Sequence, residues 1–448
     1  MERRNRIILE TVRDMLGRGD VRQAVRTVAD LYSADTAEVL FGLGIAGEVE
    51  VLLGMEPRAA ARAMFEMDEA HQVDVAQRLG TVELRGLLES MPVDEAVDLL
   101  GDIPESRRET LLRLFGREEA EELERLLAYS DDTAGGLMTP EYISVSPEAT
   151  AQEVIGLLRG VSPEVETIYY VYVTSGEGRL DGVLSLRELI VSPPGRRVSE
   201  MIGPEVITVS PATDQEEVAE FISKYDLLAV PVTDDSGRML GIVTVDDVMD
   251  VIGDEVEEDI MRFAGATGPE EEPPGRLFAG LGRRIPWFVL TVAIEILLVG
   301  GILKLYSPVF STFIVLVFFI PLLVTMGGNI AVQSSTVVGR WLASGLPLQR
   351  TAVKAILGEV VWGVLVGLLT GVIVATLSFL FHLGESIGVV VGISLALTVI
   401  AASLVGCVLP VTLKALNRDP GVVSGPLLGT IMDVISLAIY LGIGTLLI

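Results

Sequence analysis

GVVSGPLLGTIMDVISLAIYLGIGTLLI, residues Gly421 to Ile448, is apolar over a length that crosses a bilayer, and Asp433 is its one charge. A carboxylate near the bilayer centre costs roughly 2.5–3.5 kcal/mol on insertion scales, so an acid in this position marks a functional-site candidate. At helical spacing around it lie Pro426, Gly429, Thr430, Ser436 and Tyr440, which give the helix one small and polar stripe. Such a stripe fits a helix lining a water-filled path. It also fits a helix–helix contact, because small residues let helices pack closely in lipid.

Working outward, five segments are long and apolar enough to span: about Ile285–Leu305, Val309–Leu342, Ala355–Phe381, Ile387–Leu413 and Val422–Ile448. With the rest of the chain in the cytosol, Arg283, Arg284, Arg340, Arg350, Lys354, Lys414 and Arg418 fall on the cytosolic flank and only Lys304 outside. That asymmetry obeys the positive-inside rule, and an odd number of spans leaves the C-terminus outside. Met1–Leu16 is charged and has no apolar core of signal-peptide type, which agrees with a cytosolic start at the inner face of the cell membrane. The second span is too long for a simple crossing and contains Pro321, so a kink is expected there. In the motif Pro321–Gln333, Gly327 and Gly328 allow close approach or local unwinding, while Asn329, Gln333 and Thr336 recur at i, i+4 and i+7 on one face. In lipid these side chains need partners, which neighbouring helices, water or a hydrated ion would supply. Glu295 and Glu359 are the other intramembrane acids, Glu359 near enough to the cytosolic end to snorkel.

Residues 283–448 hold five of the 62 acids and eight of the 33 Lys and Arg, so residues 1–282 carry a balance of −32. Nucleic acid and anionic lipid surfaces are thereby excluded as partners of that part, since both need positive charge. Dense acids suit cations, diffuse or specifically bound, although most of them taken singly are a solvated helical surface. One cysteine, Cys407, and two histidines, His71 and His382, rule out a zinc or iron–sulfur cluster and any disulfide within the chain. A metal here is a hard one held by oxygen. No nucleophile–base pair and no phosphate-cradling loop is evident, so the chain does not read as an enzyme.

Residues 138–252 contain an internal repeat: Met138–Pro147 (MTPEYISVSP) is echoed by Met201–Pro211 (MIGPEVITVSP). Each copy continues through a helical stretch (Gln152–Leu158; Glu216–Ser223), a β-rich run (Ile168–Val173; Ala229–Val232) and a strand-to-helix step (Gly182–Leu189; Gly241–Val248). The pair resembles tandem cystathionine-β-synthase-type (CBS) modules, ligand-sensing α/β units that often bind adenine nucleotides. ATP is thus a candidate ligand by that resemblance, with Tyr170 and Arg187 placed where a nucleotide could be lined. Ahead of the repeat, short helices such as Val93–Leu100, Glu105–Leu114 and Glu118–Leu127 are apolar on one side and acidic on the other, as in a small superhelical α-domain. After it, Asp246–Phe263 reads as one long acidic helix and Ala266–Gly275 as a flexible linker. The expected architecture is a multidomain membrane protein. An acidic all-α superhelical domain (1–130) precedes α/β tandem CBS domains (131–252), a connecting helix and linker (246–282) and an α-helical domain of five spans (283–448).

This order resembles the MgtE family of Mg2+ channels, and four signatures carry the likeness. They are Asp131–Thr139 (DDTAGGLMT), the CBS pair, the Pro321–Gln333 motif, and Asp419–Pro426 (DPGVVSGP) leading to Asp433. The resemblance implies a homodimer with one Asp433 from each subunit at the two-fold axis. Gly429, Thr430 and Asn329 would help to hold a transported, hydrated Mg2+. It further implies that cytosolic Mg2+ closes the channel by binding Asp94 and Asp98 in the helical domain, Glu216, Asp226 and Asp247 in the CBS pair, and Asp250, Glu255, Glu258 and Asp259 on the connecting "plug" helix. Two positions depart from the pattern: Gly425 stands where the family often has Asn, and Arg62 where an acid is found. Oxygen-only chemistry leaves Co2+ and Mn2+ open as alternative cargo, and the CBS pair alone leaves open a membrane-tethered nucleotide sensor without transport.

Overall fold

The computed structural model describes residues 3–160, 169–203, 206–263, 285, 289–306, 314–343, 348–382, 385–416 and 425–447, in two compact units, Met1–Asp254 and Glu255–Ile448. The expected linker Ala266–Gly275 and the Asp419–Ser424 part of the last signature lie outside the described residues.

The first unit opens with short helices separated by local stop and start signals. Asp20 caps the helix Val21–Ala29 by accepting from the Gln23 N–H, Glu56 caps Pro57–Phe65 with Pro57 at its first helical position, and Asp68 caps Glu69–Arg78 by accepting from the His71 N–H. One layer is formed by α1 (Arg3–Gly17), α3 (Ser33–Leu43), α5 (Pro57–Phe65), α7 (Thr81–Leu88) and α9 (Glu105–Leu112), each packed on the next. The other is formed in the same way by α2 (Val21–Ala29), α4 (Ile45–Leu52), α6 (Glu69–Arg78), α8 (Val93–Asp102) and α10 (Arg117–Leu126). Packing of every helix on its second neighbour gives the superhelical stack that the one-sided apolar patterns require. Val28, Leu40, Met64, Leu84 and Leu100 are fully buried between the layers.

The repeat follows, from α11 (Ala134–Leu137) onward. In its first copy β1 (Ser144–Val145) runs parallel to β2 (Tyr170–Thr174), which pairs antiparallel with β3 (Leu180–Ser185); α12 (Ala151–Gly160) and α13 (Leu186–Val191) flank them. The second copy has α14 (Gln215–Tyr225), the antiparallel pair β4 (Ala229–Thr233) and β5 (Met239–Thr244), and α15 (Val245–Phe263). The register slips at Val173/Thr174 in one copy and at Val232/Thr233 in the other, so even the irregularity is duplicated. Each leading segment seats on the other copy's closing strand. Thr139 exchanges two backbone hydrogen bonds of 2.9 Å with Ile242, and a Cβ on Gly241 would come within 2.7 Å of the Thr139 carbonyl. Gly182, the equivalent position, makes the same room for Ile202. The two copies therefore fold as one body.

In the second unit, residues 289–294, a π turn at Glu295–Val299 and α16 (Gly300–Leu305) precede a 3-10 stretch, Ile314–Phe319, that runs into α17 (Ile320–Ala343). Then come α18 (Leu348–Leu380), α19 (Glu385–Ala415) and α20 (Gly425–Leu447). Among the described residues four helices are long and apolar enough to cross a membrane, Ile314–Leu342, Ile356–Leu380, Ser386–Ala415 and Gly425–Leu447. The expected first span, Ile285–Leu305, is described only at 285 and from 289 on. The kink expected at Pro321 takes another form. Pro321 falls in the first turn of α17, where its missing N–H breaks no helical bond, and the geometry changes just before it. Tyr440 Oη donates to the Leu316 carbonyl at 2.8 Å and satisfies part of the 3-10 stretch. Gly363, Gly367 and Gly371, four residues apart on α18, bring that helix onto α19; a Cβ on Gly371 would lie 2.5 Å from the Gly392 carbonyl.

Candidate ion path and cation-binding acids

Asp433 is half-buried near the middle of α20. The stripe around it divides between the two uses that its composition allows. Thr430, Ser436 and Tyr440 are buried in the helix bundle, Thr430 donating back to the Pro426 carbonyl at 3.1 Å, so these positions serve packing. Pro426 is exposed, and Gly429 and Asp433 are partly so. α17 meets this helix at its glycine pair: a Cβ on Gly327 would lie 2.5 Å from Ser436 Oγ, and one on Gly328 3.7 Å from Gly429 Cα. Directly after them Asn329 is exposed, as are Thr325, Gln333 and Thr336 on the same face. Thr336 returns its hydroxyl proton to the Val332 carbonyl at 2.8 Å, but the amides of Asn329 and Gln333 in this exposed stripe demand a wet path or a polar partner, since lipid satisfies neither. Glu295 belongs to the π turn packed on α20, and its charge bears on Asp433. The sequence marks both acids as intramembrane, but only the packing relates them.

The first unit gathers acids of its own. Asp94 on α8 is 6% exposed and its Oδ1 has no hydrogen-bond partner. Burial, and then the charge of Asp247, push its pKa up to about 7. Asp98, one turn further on α8, keeps an exposed surface, yet partial loss of hydration and then the charges of Asp94, Asp131, Asp102 and Glu69 push its pKa upward. Asp247, in the first turn of α15, accepts from Thr244 Oγ1 at 2.5 Å, which partly offsets the burial that raises it to about 6. Asp250 is exposed and raised by partial desolvation first, then by Asp254, Asp246 and Glu66. Carboxylates of the helical stack and of the second CBS copy thus act on one another as like charges. Asp131, Asp102, Glu69 and Glu141 belong to the same field; of these only Asp131 lies in a sequence motif, Asp131–Thr139, and the other three are marked by nothing local. Gly136 of that motif lets the chain pass so closely that a Cβ would lie 2.5 Å from the Ser130 carbonyl.

Other expected positions are not brought together. Glu216 and Asp226 are exposed at opposite ends of α14, roughly 15 Å apart at 1.5 Å per residue, with Asp226 left-handed at φ 52°. Glu255 and Glu258 are half-buried on α15, whereas the side chain of Asp259 lies outside the described residues. Among the described residues no three His, Cys, Asp or Glu side chains already form a metal cage. His71 spends its ring on the fully buried Glu48, with Nε2 2.8 Å from Oε2.

Residues 31–132 match the family model of the MgtE intracellular N domain, residues 134–193 and 198–254 that of the CBS domain, and residues 320–443 that of MgtE, a divalent cation transporter. The magnesium transporter MgtE of Thermus thermophilus is 42% identical over 337 residues, 73% of this chain and 72% of that one. That of Bacillus subtilis is 33% identical over 85% of this chain and 84% of its own. The chain belongs to the MgtE family of divalent cation transporters. Among solved structures, the cytosolic domain of the Mg2+ channel MgtE in complex with ATP matches with a TM-score of 0.52 and 38% identity, over 54% of this chain and 99% of that one. As an MgtE protein the chain is a multi-pass membrane protein, with the helical stack, CBS pair and membrane helices in the order that the sequence implies.

Proposed function

We propose that this protein conducts Mg2+ across the cell membrane as a homodimer and that Mg2+ bound to its acidic first unit closes it. The observation that carries conduction is the exposed polar face of α17, held by Gly327 and Gly328 against the helix of Asp433. Mg2+ gives up its water reluctantly and is held through one or two carboxylates plus its hydration shell. Paired copies of Asp433, with carbonyls near Gly429 and the amide of Asn329, suit a hydrated ion selected by charge and size, while the buried Thr430 packs the helix instead of lining the path. With Gly425 supplying no side chain, selectivity rests on carbonyls and water. The domain limits expected from the sequence, a cytosolic first unit and an external C-terminus belong to the same reading, supported by the distribution of Lys and Arg.

Closure by Mg2+ is supported by the orphaned, buried carboxylate oxygen of Asp94 facing Asp247. A hydrated divalent cation between them neutralises both, with Asp98 on α8 and Asp250, Glu255, Glu258 and Asp259 in the sequence of α15 as further acids for the sensor. Without it, like charges favour separation; with it, the helical stack and the CBS pair close, and that closure shuts conduction. Glu216 and Asp226 lie too far apart on one chain to share an ion, so their use requires another surface. ATP at the CBS pair is a secondary part of this reading, resting on Tyr170, whose hydroxyl accepts from the Leu228 N–H at 3.5 Å between the two copies.

Two measurements test the proposal. Purified protein in liposomes should pass Mg2+ in preference to Ca2+, with Co2+ and Mn2+ compared; equal flux of all four would defeat Mg2+ selectivity. In inside-out patches, joint substitution of Asp94, Asp247, Asp250 and Glu258 by their amides should leave the channel open at millimolar Mg2+. Unchanged inhibition would remove these residues as the sensor.

A further inference from the structure

Behind the polar face of α17 a second set of polar side chains joins three membrane helices. Ser334 on α17 places its Oγ 3.3 Å from Glu359 Oε2 on α18 and 3.4 Å from Ser403 Oγ on α19. Ser403 donates in turn to the main-chain carbonyl of Glu359 at 2.9 Å. Ser334 and Ser403 are buried, 3% and 1% exposed. Gly363, one turn beyond Glu359, makes the space: a Cβ there would lie 2.5 Å from Ser403 Cβ. Each hydroxyl has one proton. Ser403 commits its own to the Glu359 carbonyl, so the single proton of Ser334 is the hydrogen bond that α17 offers its neighbours here, beside the close main-chain approach of Gly406 on α19 to Ala331.

Adhesion alone does not explain a carboxylate in this place. α18 and α19 already touch through Gly363, Gly367 and Gly371, and an acid in a membrane helix is costly. Its geometry points to another use. Ser334 follows Asn329 by five residues, about 140° around the helix, so it lies on the back of α17 while Asn329, Gln333 and Thr336 form the exposed front. A hydrogen bond on the back of a helix resists rotation about the helix axis, and that rotation would swing the front out of line. Gly327 fixes how near α17 comes to α20; Glu359 acts on how it is turned.

We propose that Glu359 is a positioning residue for ion selection: through Ser334 it sets the rotation of α17 and thereby the aim of Asn329 and Gln333. The inference rests on the reading that this face lines the ion path, and one control separates the two. In the full-length protein reconstituted in liposomes, Glu359→Ala and Ser334→Ala should each lower maximal Mg2+ flux about tenfold and shift the Mg2+/Ca2+ flux ratio at least threefold, in the direction set by Asn329→Ala. Glu359→Gln, which keeps the reach and an oxygen acceptor, should stay within about twofold of wild type in both readouts. The double variant Glu359→Ala with Ser334→Ala should be no worse than either single change, because both remove the same link. A merely structural role would lower the thermal midpoint and the amount of folded protein while leaving the ion ratio of the folded fraction unchanged, and that result overturns the proposal. So does a Glu359→Gln protein as impaired as Glu359→Ala, which would make the charge itself the requirement. If Glu359→Ala fails to fold, Ser334→Ala carries the test alone. An Asn329→Ala protein with wild-type flux and ratio would instead remove the ion-path reading on which the inference stands.

Discussion

Replacing Asp94 by Asn should stabilise the metal-free protein while weakening its response to Mg2+. Burial and Asp247 raise Asp94 from 3.8 to about 7, a shift of roughly three pKa units. At 1.36 kcal/mol per unit, holding the carboxylate ionised in the folded state costs at most about 4 kcal/mol. A buried Asn amide keeps part of the desolvation cost, so removing the charge should return on the order of 2 kcal/mol. Because the folded value lies above the unfolded one, the favourable contribution is complete below about pH 4 and is lost as pH rises through about 7. Metal-free wild type should therefore lose thermal stability between about pH 4 and pH 8, and Mg2+ at pH 8 should restore it by binding only the folded state. Asp94→Asn should raise the metal-free midpoint at pH 8 by about 4–8 °C, taking 2–4 °C per kcal/mol for a unit of this size. Its midpoint should vary less with pH and rise less with Mg2+. Calorimetry of the full-length protein in detergent, at pH 5.5 and 8 with and without Mg2+, reads all of these. A lower metal-free midpoint at pH 8 together with an intact Mg2+ increment would refute the argument, since it would mean that the Asp94 charge is already compensated.

Asp433→Asn preserves size and removes the charge, so the protein should fold and dimerise while divalent flux into liposomes falls at least a hundredfold; wild-type flux would return α20 to a packing role. Asn329→Ala should reduce flux or change the ion ratio more than Val332→Ala, and equal effects of the two in the same assay would show that the polar face has no special part. Gly371→Ala places a Cβ 2.5 Å from the Gly392 carbonyl, which main chain on a packed helix cannot yield cheaply. That substitution should cost about 1–3 kcal/mol, the usual range for overpacking, seen as a lower thermal midpoint and less folded protein on size exclusion.

The helical stack, the duplicated CBS unit and the membrane helices were all legible in the sequence, because each is governed by local periodicity, capping residues or unbroken apolar length. Asp433 stood out for the same reason, as a charge where the solvent is hydrocarbon. Other features follow from which surfaces meet, which no local pattern records. The stripe on α20 reads as one face, yet packing splits it into buried Thr430, Ser436 and Tyr440 and a partly open Asp433. Pro321 reads as a mid-span kink, yet a change from 3-10 to α geometry turns it into a helix start. Ser334, Ser403 and Glu359 are 25 to 69 residues apart and unremarkable singly; only three packed helices make them a set. Composition determined that the first unit is acidic. Tertiary structure alone decided that Asp94 would be buried against Asp247 with an oxygen unsatisfied, because desolvation and like-charge repulsion depend on neighbours that the chain reaches only by folding.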